Sequence, residues 1–136
     1  MVTDTRGSAM TRLSCVFLLS SLSWGCAHRA YRESGLASWY GPGFRGKPTA
    51  SGERFAPRKK TAAHRTLPFG SVVKVTRTDT GRSVRVVIND RGPFVEGRVI
   101  DLSKGAARRI EMLDEGVAPV KLKVVGCRPR RGPCAH

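Results

Sequence analysis

The chain has 136 residues, enough for one domain of ordinary size. It carries 25 Lys+Arg against 10 Asp+Glu, a formal net charge of +15. A charge of this size implies an anionic partner: nucleic acid, acidic lipid headgroups or a polymer bearing carboxylates. No Cys/His cluster has ligand spacing, so neither a metal nor another cofactor is expected.

Residues 1–25 read as an export signal. Arg6 and Arg12 give a positive start, Leu13 to Trp24 is a short apolar stretch, and Gly25 precedes Cys26. The apolar run is too short to span a bilayer. Leu22-Ser23-Trp24-Gly25-Cys26 is similar to a bacterial lipoprotein signal, in which Cys26 is cut free and lipidated. It departs from the usual form in placing Leu one position early and Trp24 where a small residue is usual; plain secretion is the alternative. Export argues against nucleic acid and for peptidoglycan or the membrane face as the anionic partner. Cys15 leaves with the signal, so Cys127 and Cys134 remain as an even pair in an oxidising compartment. They either form a disulfide closing the basic tail, residues 127–136, or stay as two thiols.

Residues 26–34 read as a short polar linker, too short to carry a domain far from a membrane anchor. Leu36 to Tyr40 is a first strand, halted by Gly41-Pro42-Gly43. Trp39 and Tyr40 have flat apolar faces with polar edges, suited either to lining a sugar groove or to packing in the core. Alternation turns one of the pair inward and the other outward. Phe44 to Pro57 is loop, broken by glycine and proline, and holds Glu53 directly after Gly52. Thr61 to His64 is a short strand, and His64 is a side chain that titrates near neutrality unaided. Ser71–Thr76 and Arg82–Asn89 form a hairpin about the turn Thr78-Asp79-Thr80-Gly81. Asp90 lies just past its end, where Gly92-Pro93 forces a turn. A carboxylate at such a point is held rigidly at the surface, although Asn89-Asp90 also suits turn initiation alone. Arg91 stands beside it with a permanent charge.

Arg98–Ile100 is a further strand. Asp101 or Ser103 caps a helix running from about Lys104 to Leu113, which buries Ala106, Ala107, Ile110 and Leu113 and ends at Gly116. Val117 to Val125 is the last strand, with Val120, Leu122 and Val124 inward and Lys121 and Lys123 outward. About six short strands and one helix at this spacing suggest a small closed barrel.

Several ordered blocks match one family. They are Gly35-Leu36-Ala37-Ser38-Trp39-Tyr40-Gly41, Thr49-Ala50-Ser51-Gly52-Glu53, Thr61 to Gly70, Asn89-Asp90-Arg91-Gly92-Pro93-Phe94 and Ile100-Asp101-Leu102-Ser103. Over residues 35–126 the chain resembles the rare lipoprotein A (RlpA) family. The resemblance implies a mostly β fold, a six-stranded double-psi β-barrel with one short helix. It also implies a bacterial septal or envelope lipoprotein, and a monomer facing the periplasm is expected. Some members are lytic transglycosylases that cut glycan strands lacking stem peptides. The activity so implied is cleavage of MurNAc–GlcNAc bonds with 1,6-anhydro-MurNAc formation, and the alternative is a non-catalytic peptidoglycan-binding lipoprotein. By resemblance the catalytic set is Asp90, Glu53 and His64, and Asp101 matches an aspartate used by related expansin-like and glycosidase barrels. Trp39, Tyr40 and Arg91 join Asp101 as expected substrate contacts. The peptidoglycan-binding repeat domain that many members carry at the C-terminus has no counterpart in residues 127–136.

Overall fold

The computed structural model describes residues 31–128. The segment read as an export signal, Cys26 and Cys134 lie outside these residues. The chain forms β1 (Arg32–Trp39), a 3₁₀ turn (Pro42–Phe44), β2 (Thr61–Ala63), β3 (Ser71–Arg77), β4 (Ser83–Asp90), β5 (Arg98–Leu102), α1 (Lys104–Arg109) and β6 (Ala118–Cys127). The strands close into a barrel in the order β1-β5-β2-β4-β3-β6. β1 runs parallel to β5 and β2 parallel to β4, while the other neighbours are antiparallel. This is the six-stranded double-psi barrel with one helix that the sequence leads one to expect. Closure leaves no free sheet edge.

Alternation builds the core. Val73 and Val75 of β3, Val84, Val86 and Ile88 of β4, and Val120 and Leu122 of β6 point inward and are buried. Lys121 and Lys123 point out. Ile100 and Leu102 of β5 complete the inner layer, and α1 caps one side with Ala106 and Ala107.

Several boundaries differ from those read in the sequence. β1 begins at Arg32, inside the stretch read as linker, because Arg32 to Ala37 pair with β6. Asp90 is the last residue of β4 rather than the first beyond it, since it pairs with Ala63 across a register shift in β2. Asp101 is not a helix cap: it belongs to β5, and Ser103 takes the N-cap, accepting the Ala106 N–H on Oγ. The helix stops at Arg109, well before Gly116. Arg77 explains the early stop, because its Nη1 donates to the carbonyls of Ile110 and Glu111. Glu111 then turns into the left-handed region at φ 53°. Met112 is buried in place of the expected Leu113, which is only half-buried.

Arg77 is itself buried and ties the barrel to this corner, pairing with Asp79 at 2.8 Å and Glu115 at 2.9 Å. Its hydrogen bonds hold the carboxyls of Asp79 and Glu115 below their ordinary values of 3.8 and 4.5. Lowered folded pKa values mean stability that is present above the unfolded values and lost as pH falls through the folded ones. Both carboxylates are about half exposed, so the contribution of each is small and screened by salt. Arg77→Met is expected to lower Tm at pH 7. It should also flatten the fall of Tm between about pH 5 and pH 3 relative to wild type, as thermal melts across that range would show.

Candidate active site

Asp90 ends β4 with its carboxylate held on three sides. Oδ1 accepts the backbone N–H of Ala50 at 2.9 Å and of Arg91 at 2.9 Å, and Oδ2 accepts the Tyr40 hydroxyl at 2.8 Å. Each donor comes from a different place in the chain. Tyr40 follows β1, and its N–H bonds to Leu102 O at the end of β5. Ala50 sits in a tight turn closed by Thr49 N–H to Glu53 O at 2.7 Å and Gly52 N–H to Thr49 O at 2.9 Å, with Gly52 at φ 83°. That turn is fastened to β4 by Ser51 N–H to Asn89 O at 3.1 Å. The Tyr40 ring packs against Phe44 and Phe55, at centroid distances of 5.3 and 4.9 Å. Burial, the hydrogen bond to Asp90 and the charges of Asp90 and Asp101 push the Tyr40 phenol far above its ordinary range. It therefore keeps its proton and stands as a neutral hydroxyl beside Asp90.

A second carboxylate stands in line with the first. Asp101 pairs with Ser38 on one side and Ala63 on the other, and Ala63 pairs with Asp90. Asp90 and Asp101 thus flank one small residue across three strands, about 10 Å apart at Cα. Asp101 is not open to a ligand in the same way. It accepts the Ser38 hydroxyl and both its oxygens face Arg98 Nη2, at 2.7 and 2.8 Å.

His64 is 2% exposed and its ring does not bond to Asp90. Nδ1 accepts the N–H groups of Thr66 at 3.2 Å and Leu67 at 3.1 Å, so the ring proton sits on Nε2, which donates to Glu33 at 2.8 Å. Glu33 also accepts the Tyr31 hydroxyl at 2.8 Å. Burial, then the hydrogen bond and charge of Glu33, raise the Tyr31 phenol to about 12. His64 meets Asp90 only through the backbone, N–H to Asp90 O at 3.2 Å. Arg91 turns away from Asp90, donates to the carbonyls of His64 and Leu67, and stacks on Phe69 at 3.9 Å.

Residues 32–122 match the lytic transglycolase family. The chain belongs to that family. It is 64% identical over 94 residues to a probable endolytic peptidoglycan transglycosylase RlpA of Nostoc sp., covering 68% of this chain and 25% of that relative. It is 56% identical over 92 residues to the endolytic peptidoglycan transglycosylase RlpA of Campylobacter jejuni, covering 68% and 34%. The chain therefore spans about a quarter to a third of the length of these relatives. Among solved structures it is similar to a Streptomyces papain inhibitor (25% identity, TM-score 0.58, 71% of this chain and 96% of that one). It is also similar to the apo expansin of Clavibacter michiganensis (26% identity, TM-score 0.55, 76% and 54%).

In this lytic transglycolase domain the expected site residues do not all converge. Asp90 and Tyr40 touch. Glu53 shares the turn that holds Asp90, yet its side chain lines a cavity of about 610 Å³ with Arg58, Lys59, Lys60 and Arg85, which Asp90 does not line. Trp39 packs against the core and Tyr40 serves Asp90, so the alternation of the pair places one inward and the other at the site. The sequence reading missed Glu33 as the partner of His64, 31 residues away, and Tyr40 as a direct partner of Asp90, 50 residues away. Neither pairing has a local signature. Phe94, four residues beyond Asp90, is 85% exposed on a loop that Arg65 pins through the carbonyls of Pro93, Val95 and Arg98. Cys127 is disulfide-bonded, and the other three cysteines lie outside the described residues. Among the described residues no three His, Cys, Asp or Glu side chains converge as a metal site.

Proposed function

We propose that the protein is an endolytic peptidoglycan lytic transglycosylase with Asp90 as its acid–base group. The observation that carries this reading is the three-point hold on the Asp90 carboxylate by Ala50, Arg91 and Tyr40. The names of the relatives, and the basic charge suited to an anionic wall polymer, support it. The substrate is the MurNAc–GlcNAc bond of glycan strands lacking stem peptides. The protein works exported and monomeric in the bacterial envelope, facing the periplasm, with a lipid on Cys26 and Cys127 joined to Cys134.

Oδ1 faces two N–H donors, so the transferable proton is carried on Oδ2. As an acid, Asp90 gives that proton to the glycosidic oxygen as the bond to muramyl C1 breaks. As a carboxylate, it then takes the proton of the muramyl C6 hydroxyl, whose oxygen closes on C1 to leave a 1,6-anhydro end. The proton returns to Oδ2 and no water is consumed. The Tyr40 hydroxyl rotates between donating to the carboxylate and accepting from the acid, and fixes Oδ2 throughout. Glu53 holds substrate, while His64 is a positioning residue acting through its backbone N–H. Trp39, Arg91 and Asp101 brace the strands and turn around Asp90 rather than carrying protons.

Full-length protein incubated with intact sacculi and with peptide-stripped glycan strands tests this by mass spectrometry. Anhydro-muramyl ends are expected. Reducing ends would mark a hydrolase instead. The separation of Glu53 and the His64 ring from Asp90 favours a second reading, a non-catalytic wall-binding module. That reading predicts glycan pull-down with no new ends from either substrate. Tyr40→Phe keeps the ring packing and removes the bond to Oδ2. It is expected to lower kcat about 10-fold with KM little changed, because the lost contact matters most while the proton moves.

A further inference from the structure

Three cavities meet at one cation. A cavity of about 650 Å³ is lined by Tyr40 together with Arg45, Arg58, Lys104 and Arg108, and by no acidic residue. The cavity of about 610 Å³ that holds Glu53 is also lined by Arg58. A smaller one of about 330 Å³ is lined by Arg45 and Arg58 as well. Arg58 thus borders both the cavity that reaches Tyr40, hydrogen-bonded to Asp90, and the one that reaches Glu53, and the three together are termed the basic furrow. Among the described residues, Arg45, Arg58, Lys104 and Arg108 form no ion pair with an acid. Lys104 and Arg108 are four apart on a six-residue helix, a like-charge arrangement that disfavours the helix.

The furrow is built as well as charged. Gly105 lets α1 sit flush on the loop that carries Arg58: its N–H donates to Pro57 O at 2.8 Å. A Cβ at Gly105 would lie 2.6 Å from Arg58 O and 3.2 Å from Pro57 O. The Arg58 backbone is therefore fixed against the helix, and Arg58 lines all three cavities.

We infer that this furrow is an anion subsite of the cleft and that it takes the carboxylates of the glycan. The inference rests on the transglycosylase reading for its polymer. The muramyl lactyl ether ends in a carboxylate that is free when no peptide is joined to it, and an amide otherwise. Cations lining a cavity with Tyr40, the hydrogen-bond partner of Asp90, would draw the free form toward the bond to be cut, a bidentate Arg–carboxylate contact at Arg58 being the central one. An acidic membrane surface is a poorer match, because it would press headgroups against the Tyr40–Asp90 pair and close the cleft.

The test measures binding rather than cleavage. Full-length protein is titrated against peptide-free glycan strands with carboxylates intact or chemically reduced to alcohols, at about 50 and 150 mM salt. Intact strands are expected to bind at least about 10-fold tighter. Arg58→Gln with Arg108→Gln should remove that preference, while Lys121→Gln with Lys123→Gln, an equal charge loss on the outer face of β6, should keep it. Gly105→Ala, which changes no charge, should weaken the preference by displacing Arg58. Equal binding of both strand forms by wild type would overturn the subsite, as would equal losses from the two double variants. Binding only to vesicles containing phosphatidylglycerol, lost with Arg58→Gln, would overturn it in favour of a membrane contact. Carboxylate preference without anhydro ends would remove the transglycosylase reading and leave the subsite standing.

Discussion

Asp90→Asn is expected to cut the rate of anhydro-muramyl end formation by about 10²–10⁴-fold, the usual worth of a positioned acid–base group. The substitution is close to isosteric. The amide oxygen can replace Oδ1 as acceptor for the Ala50 and Arg91 N–H groups, and the amide nitrogen can donate to the Tyr40 hydroxyl oxygen. The fold and the glycan affinity should therefore survive, while an amide cannot pass a proton to the leaving oxygen. The measurement is a time course of released ends by mass spectrometry, with a melting curve and a pull-down on the same preparation. A rate within a few-fold of wild type would remove Asp90 from the chemistry. Glu53 would then be the next carboxylate to examine, since it lines a cavity of the furrow.

The choice of Asp90 over Asp101 follows from what each oxygen already does. Both carboxylates lie on one row across β4, β2 and β5, so strand position alone does not separate them. Asp101 is bound by a guanidinium from its own strand and a hydroxyl from β1, and removing it would leave Arg98, whose Nε is already buried without a partner, short of its counter-charge. It holds β1 to β5. Asp90 is bound by two backbone amides and a phenol, none carrying a charge that the reaction would have to pull away. The residue nearest in sequence, Arg91, spends its guanidinium on the His64–Leu67 carbonyls and Phe69.

The strands were legible because their core faces are β-branched and alternate: Ser71–Arg77 and Ser83–Asp90 differ from their expected bounds by a residue or two. The helix was legible at its start, where Ser103 caps, and illegible at its end. No pattern in residues 104–116 shows that Arg77, some thirty residues earlier, will take its last carbonyls. β1 was shortened because Arg32 to Ser34 are polar and owe their strand state to pairing with β6, a tertiary cause. At the site, Asp90 and Glu53 stood out by turn chemistry and by resemblance. Which oxygen meets which donor depends on contacts between residues 40 to 50 positions apart, set by barrel closure and invisible to local reading.

His64 shows where such reading misleads, and it carries the second large prediction. As a histidine beside a candidate carboxylate it invites a catalytic role, yet its ring is spent on architecture. His64→Ala would strip the acceptor from the Thr66 and Leu67 N–H groups and open space in a buried site. Two orphaned donors at about 1–3 kcal/mol each suggest a loss of roughly 2–6 kcal/mol, which lowers Tm by at least roughly 8 °C in a domain of this size. His64→Asn separates this from chemistry. The Asn carbonyl oxygen occupies nearly the position of Nδ1 and can accept the same two N–H groups, although it does not reach Glu33. It is expected to recover most of the lost Tm and, with it, most of the activity per folded molecule. Melting curves and end-release rates on both variants decide the matter. If His64→Asn folds like wild type but releases no anhydro ends, the imidazole takes part in catalysis directly and its placement on Glu33 describes only the resting enzyme. If activity follows stability across the two variants, His64 acts by holding the 64–67 turn, and through it the backbone of Asp90, in place.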